Sequence, residues 1–448
     1  MVCIKSSCVV KPSEPTPNVK LFLPESDQVK PWTHAPVFFV YQPEVDNSVS
    51  TSLENLKFSL SRALVPYYPL AGRLNGIGGG RFELHCNTMG AVIIEAESDA
   101  RLEDFGDFRP TSETTKLAPY VDYAKDVSEL PLLLVQLTRF KCGGIGIGIA
   151  MSHIVSDGKG AFGFITTWAK INRGEKGIIE PFHDRTAFYK GDPTAKPRCD
   201  HVELKGYPVL LGNKSAKEER AKETTTRMLN LSKNQVDKLK EKSNLGKPKD
   251  YVGREYSRFE AMSGHIWRCA SKARRHENEQ LTSLRITIDC RNRLRPPLPP
   301  RYSGNATMVT TSIAESGELL SNPLGLGFVC SVIRKCIDKV DDDYIKSATD
   351  FLISQDDLTP YRSGFHNVGS TEGVFLGNPN LAITSWVGLP INDVDFGWGK
   401  PIYMGPTALG YDGKLLIIPG KDDGSVIVPI RLQVAHIDDF EKFFYEDI

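Results

Sequence analysis

From Ile145 to Met151 the chain reads Ile-Gly-Ile-Gly-Ile-Ala-Met, with bulky and minimal side chains in strict alternation. A period of two belongs to a β-strand, and this one predicts a bulky face and a face on which a neighbour packs closely. Polar residues begin where the pattern stops: Ser152, His153, Ser156, Asp157 and Gly158. After them Phe162, Ile165 and Trp168 recur at helical spacing, with Ala161 and Ala169 between. His153 therefore stands at a strand-to-helix junction on a sheet rim, where a side chain reaches a cleft while the core holds its backbone. The glycines before it and the small residues after it leave room for a bulky partner beside the imidazole.

A chain of 448 residues is longer than one hydrophobic core supports, so two domains with a cleft between them are expected. Lysine plus arginine and aspartate plus glutamate number 55 each, which leaves no net field to gather nucleic acid or an anionic membrane. Nine cysteines show neither Cys-x-x-Cys nor paired Cys/His spacing, so no metal site and no disulfide framework is expected. No stretch of 18 apolar residues exists, and Lys5 and Lys11 interrupt the N-terminal apolar residues. These features point to a cytoplasmic protein.

In chain order, residues 3–10 and 37–41 read as strands, and Leu53, Leu56, Leu60 and Leu64 as one face of a helix capped by Ser52. Gly76, Gly78, Gly79 and Gly80 make a hairpin into the strand 81–86, and 92–96 is another strand. Residues 132–140 pair with the glycine strand across Lys141-Cys142-Gly143-Gly144, and a helix over 161–173 closes a first domain, 1–183. Periodicity lapses from 184 to 225, a long crossover. A second domain, 226–448, begins with the capping box Ser232/Gln235 and continues with a helix through Phe259, Met262, Ile266 and Ala270. The strand 284–289, a helix around 328–339, a strand over 381–387 and a hairpin at Asp422-Asp423-Gly424 complete it. Mixed strands and helices in both halves predict α/β layering.

His153-x-x-x-Asp157 is short enough to recur by chance, whereas Asp395-Phe396-Gly397-Trp398-Gly399 is not. A kinase reading of Asp-Phe-Gly fails because no His-Arg-Asp loop or glycine-rich nucleotide loop accompanies it, and the glycines at 144, 146 and 148 never form a dinucleotide fingerprint. Together the two motifs resemble those of the BAHD acyltransferases, a plant acyl-CoA-dependent family. The resemblance extends to Tyr-Tyr-Pro-Leu-Ala-Gly-Arg at 67–73, Ser-Gly-His at 263–265, Asp289-x-Arg291 and Gly-Asn-Ala at 304–306. Arg-Phe-Glu-Leu-His-Cys-Asn at 81–87, Gly-Ser-Thr-Glu-Gly at 369–373 and the ending Phe-Tyr-Glu-Asp-Ile look most like the spermidine hydroxycinnamoyl transferases.

The resemblance implies two chloramphenicol-acetyltransferase-like domains of mixed sheet plus helices, with the active site in the interdomain tunnel. It implies a monomer with no cofactor, taking acyl-CoA as co-substrate and a small-molecule amine or alcohol as acceptor. His153 would be the general base and Trp386 the indole donor facing the thioester carbonyl. Asp157 would be structural, paired with Arg291, and Asp395 to Gly399 would form a remote structural loop. Ser263 would line the coenzyme A channel. Where relatives carry a Ser-Ala-Leu-His type sequence this chain has Gly160-Ala161-Phe162-Gly163, so Phe162 and Gly163 are expected in the acceptor pocket, with Glu372 as a carboxylate for a cationic amine. The expected reaction is N-acylation of spermidine by a hydroxycinnamoyl-CoA. The alternative is O-acylation of an alkaloid or phenolic alcohol by benzoyl- or cinnamoyl-CoA, and a non-catalytic acyl-CoA-binding relative is disfavoured by the intact His153 and Asp157.

Overall fold

A computed structural model describes residues 2–42, 51–204, 216–247, 253–321, 325–362 and 376–448. Two six-stranded mixed sheets carry the fold. The first runs in the order Val2–Val10, Ala91–Ser98, Leu133–Phe140, Ile145–Ser152, His34–Tyr41, Tyr403–Pro406. The second runs Thr307–Glu315, Leu281–Asp289, Leu381–Ser385, Lys414–Pro419, Val426–Gln433, Thr224–Leu231. Parallel pairs occur in both, at 91–98 against 133–140 and at 381–385 against its two neighbours, so each sheet needs helical crossovers and the fold is α/β. A small three-stranded sheet of Lys20–Leu21, Arg81–His85 and Arg73–Gly78 lies beside the first.

The glycine strand is central to the first sheet, bonded to Leu133–Phe140 on one side and His34–Tyr41 on the other. Ile145, Ile147, Ile149 and Met151 enter the core with Leu56, Leu60, Phe164 and Trp168 from the two helices Leu53–Ala63 and Gly158–Asn172. The opposite face explains the glycines. A Cβ on Gly148 would lie 2.1 Å from the Leu117 carbonyl oxygen, and one on Gly146 would meet the Phe140 ring at 3.2 Å. Gly148 thus admits the 117–118 backbone and Gly146 the Phe140 ring, not a partner for the imidazole as the sequence suggested.

In the second half the helix Arg258–Ala273 is buried on nearly every side, against the helices Lys233–Leu245, Gly325–Asp338 and Val434–Glu446. The halves are not segregated at the expected boundary. Tyr403–Pro406 adds itself to the edge of the first sheet by pairing with residues 37–40, and Ile391, Val394, Phe396 and Trp398 pack in the first core. Nor is the start of the crossover loose. Arg185, at its start, is 2% exposed and bridges the fully buried Asp27 at 3.0 Å. No helix among the described residues is long and apolar enough to cross a membrane.

Candidate active site

Ile149, Met151 and His153 project at period two from the end of the glycine strand into a cavity of about 310 Å³ between the sheets. The first half contributes Lys30, Pro36, Val37, Phe162 and Ile165, and the second contributes Thr287, Asp289, Thr307, Thr384, Trp386 and Lys414. His153 and Trp386, expected to share a site, therefore line one chamber. Trp386 is fixed by its backbone N–H, which donates to the Ile417 carbonyl at 2.7 Å.

The histidine loop is held by backbone bonds from three distant segments. The His153 N–H donates to the Thr33 carbonyl at 3.0 Å, and Ser152 Oγ donates to the Trp32 carbonyl at 2.7 Å. Asn305 Nδ2 donates to the carbonyls of His153 and Ile154 at 2.9 and 3.1 Å, and Arg185 donates to that of Val155 at 2.8 Å. Asp27 ties these two holders together, accepting from Arg185 and from both the backbone and side-chain N–H of Asn305. Three successive carbonyls are thereby satisfied inside the protein, which is what a buried irregular loop requires. Sequence reasoning named neither Asp27 nor Arg185. Asn305 appeared only within the Gly-Asn-Ala stretch.

Asp157 caps the helix that follows by accepting from the Gly160 N–H at 3.1 Å. Its carboxylate also receives the Arg291 guanidinium in a bidentate pair at 2.8 and 2.9 Å and the Ala306 N–H at 2.9 Å. Four bonds leave it no capacity to orient the imidazole as well. Asp289 is likewise occupied, by Lys159 at 2.6 Å and Arg291 at 3.2 Å. Burial, reinforced by the positive charge of Lys30, holds the His153 imidazole down to about 4, and Asp157 offsets only part of this. At neutral pH the ring is uncharged and can accept a proton.

Other expected residues fall elsewhere. Phe162 lines the cavity and meets Phe39 edge-on at 6.1 Å. Gly163 does not: it faces Tyr67 and a second hollow bounded by Pro299, Pro300 and Arg301, because the next residue on a helix is turned by about 100°. Ser263 is fully buried in the helix Arg258–Ala273 and lines no part of the cavity, so the channel role implied for it is not supported by its position. Glu372 lies outside the described residues.

The Asp395 to Gly399 stretch also stands away from the cavity. Asp395 Oδ1 accepts from the N–H groups of Gly397, Trp398 and Gly399, and positive φ at Gly397 (93°) and Gly399 (87°) makes that tight loop possible. Phe396 packs on Trp168 at 4.7 Å, and Asn172 Nδ2 donates to the Phe396 carbonyl at 2.7 Å. Among the described residues no group of three or more His, Cys, Asp or Glu is placed to hold a metal ion.

Comparison with known proteins agrees with this architecture. The profile of the Transferase family matches residues 1–447. Shikimate O-hydroxycinnamoyltransferase of Nicotiana tabacum is 40% identical over 446 residues, 99% of each chain. A hydroxycinnamoyl-CoA:5-hydroxyanthranilate N-hydroxycinnamoyltransferase of Avena sativa is 36% identical, again over 99% of each chain. The crystal structure of vinorine synthase superposes with a TM-score of 0.72 at 21% identity, covering 98% of this chain and 96% of that one, a likeness of fold.

Proposed function

The chain belongs to the Transferase family of acyl-CoA-dependent BAHD acyltransferases, and from that membership we propose that it moves a hydroxycinnamoyl group from coenzyme A to a small acceptor in the chamber at His153. Hydroxycinnamoyl transfer is the activity these two relatives share by name, and the second names the CoA thioester as donor. The assignment of roles rests on one observation: an imidazole held neutral by burial shares one chamber with the Trp386 indole.

In the proposed reaction the acceptor's hydroxyl or amine attacks the thioester carbonyl carbon while His153 takes its proton. The carbonyl π-electrons move onto oxygen, where the Trp386 indole N–H is the candidate donor. Collapse of the tetrahedral species breaks the carbon–sulfur bond, and the imidazolium returns its proton to the departing thiolate. No acyl-enzyme is needed, because the thioester is already activated and both substrates meet in one chamber. Asp157 and Arg291 act through the loop they fix.

Two acceptors follow from the sequence, a spermidine amine and an alcohol, and the charges of the described lining favour the second. A polycation needs uncommitted carboxylates beside the base, whereas Asp157 and Asp289 are engaged by Arg291 and Lys159. The named relatives act on shikimate through oxygen and on 5-hydroxyanthranilate through nitrogen, both of them acids. We therefore favour a hydroxyl or weakly basic aryl amine over spermidine.

With 4-coumaroyl-CoA and a panel of alcohols, aryl amines and spermidine, His153→Ala should lower kcat by roughly 10²–10⁴-fold with little change in melting temperature. Turnover near wild type in that variant would remove His153 from the mechanism. Efficient acylation of spermidine, with the acids ignored, would restore the polyamine reading.

A further inference from the structure

Both carboxylates of the described chamber lining are matched by a cation, and on the side of His153 a further cation stands without a carboxylate. Asp157 pairs with Arg291 at 2.8 Å, and Asp289 pairs with Lys159 at 2.6 Å. Asp27, which ties together the holders of the histidine loop, pairs with Arg185 at 3.0 Å. Lys30 also lines the chamber and is only 7% exposed, yet its Nζ donates to an uncharged group, the Thr307 carbonyl at 2.8 Å. Among the described residues no carboxylate lies within ion-pair distance of it, 4.0 Å.

The position of Lys30 is fixed relative to the base. Its backbone N–H donates to the Asp27 carbonyl at 2.9 Å, and three residues later the Thr33 carbonyl takes the His153 N–H. Through Thr307, the first residue of the strand Thr307–Glu315, Nζ is tied to the second sheet. Burial draws the ammonium down to about 8, with Asp157 offsetting part of the effect, so it is charged at neutral pH. Its field reaches the imidazole, where it is the second cause of the low value after burial. Another positive charge brought to the base must therefore approach a fixed ammonium in a place that screens charge poorly. Asp157 and Asp289 already hold their own cations and offer that newcomer no compensation.

Resting on the acyl-transfer reading above, we propose that Lys30 is a specificity-determining residue that bars acceptors carrying a positive charge beside the reacting group, which leaves uncharged or anionic alcohols and aryl amines as the second substrate. Such a residue acts by repelling the wrong partner, without needing a new contact to the right one. An alcohol or an aryl amine reaches His153 uncharged. A polyamine that has lost one proton in order to react keeps its other ammonium groups at pH 7 and brings them to Lys30. A lysine that only tied the two halves through Thr307 would show no preference among acceptors.

The test uses the complete chain, 4-coumaroyl-CoA and two primary alcohols of one shape, 3,3-dimethyl-1-butanol and choline, which differ by a single positive charge; spermidine is the third acceptor. Acylation is read as thiol release, and binding as inhibition of the best acceptor in the panel above. The wild type should favour the neutral alcohol over choline at least tenfold in kcat/KM or in inhibition constant. Lys30→Met should narrow that ratio at least tenfold and admit spermidine, whereas Lys30→Arg should keep the ratio. Lys30→Gln retains a donor for the Thr307 carbonyl without the charge and should behave as the methionine variant, which separates loss of charge from loss of that bond. A wild type that handles choline and the neutral alcohol alike, or that neither acylates nor binds either of them, overturns the proposal. So does a ratio unchanged in the methionine and glutamine variants. Loss of shikimate acylation in those variants with choline still refused also overturns it, since Lys30 would then be a contact for an anion. Each of these failures leaves acyl transfer standing where thiol is released with any acceptor. Absence of thiol release with every acceptor, in wild type and His153→Ala alike, removes the acyl-transfer reading itself.

Discussion

At the scale of single residues, the neutral state of His153 fixes how the enzyme should respond to pH. The folded-state value of about 4 lies below the ordinary histidine value of about 6.5, so the ring stays uncharged as pH falls through 6.5. Activity that depends on the neutral base should therefore hold down to about pH 5 and fall below it. Its acid limb in kcat/KM for the acyl-CoA, measured with irreversible acid denaturation controlled, is expected between about 4 and 5. A limb at 6.5 would mean a solvated imidazole. Lys30→Met removes the second cause of the depression and should move the limb upward. His153, Asp157, Arg291 and Trp386 were legible because short motifs mark them. Lys30 and Lys414 were not, since a lysine is ordinarily solvated and only the tertiary fold buries these two. Gly163 was misplaced because sequence adjacency to Phe162 says nothing of direction on a helix.

Elements were readable where their own residues carry the signal. Ser52 caps its helix, Ser232 and Gln235 form the expected capping box, and the hairpins at 141–144 and 422–424 connect the strands expected of them. The terminal helix Val434–Glu446 was overlooked although Ile437, Phe440 and Phe444 recur at its buried spacing. Tyr403–Pro406 carries no comparable mark: four residues including a glycine and a proline become a strand only because His34–Tyr41 offers an edge. The loop after His153 belongs to the same class, being irregular backbone whose shape is imposed by side chains 30 and about 150 positions away, those of Arg185 and Asn305. Asn305→Ala should test that dependence. It removes the donor to two loop carbonyls and one of the bonds that satisfy Asp27, the backbone N–H bond being kept, at a side chain that is fully buried. We expect kcat to fall tenfold or more with KM for the thioester nearly unchanged, and stability to drop by about 2 kcal/mol. Unchanged kcat in a folded variant would show that the loop keeps its shape without this residue.

The whole molecule is two sheets facing one chamber, so the relative position of the halves decides whether His153 and Trp386 meet. Composition and length predicted two domains, but not how the chain would interlock them. Residues 391–406 leave the second sheet, pack Phe396 and Trp398 into the first core and pair with the edge strand before the chain returns to Lys414–Pro419. Trp386 lies nine residues before Asp395, so the segment that bears it is anchored on one side by the second sheet and on the other by this clasp. The clasp motif thus earns its specificity at a distance from the chemistry, because a tight loop with two positive-φ glycines and a full set of bonds to Asp395 tolerates few sequences. Phe396→Ala should reveal the coupling. The ring is fully buried against Trp168 and Tyr41, so its loss should cost about 3–5 kcal/mol. Because the cavity it leaves joins the second half to the first core, the loss should fall on both halves. Denaturant unfolding followed by fluorescence and by circular dichroism should shift to a lower midpoint, and kcat should fall although residue 396 does not line the chamber. A variant with the expected loss of stability but wild-type kcat at low temperature would show instead that the second sheet alone positions Trp386.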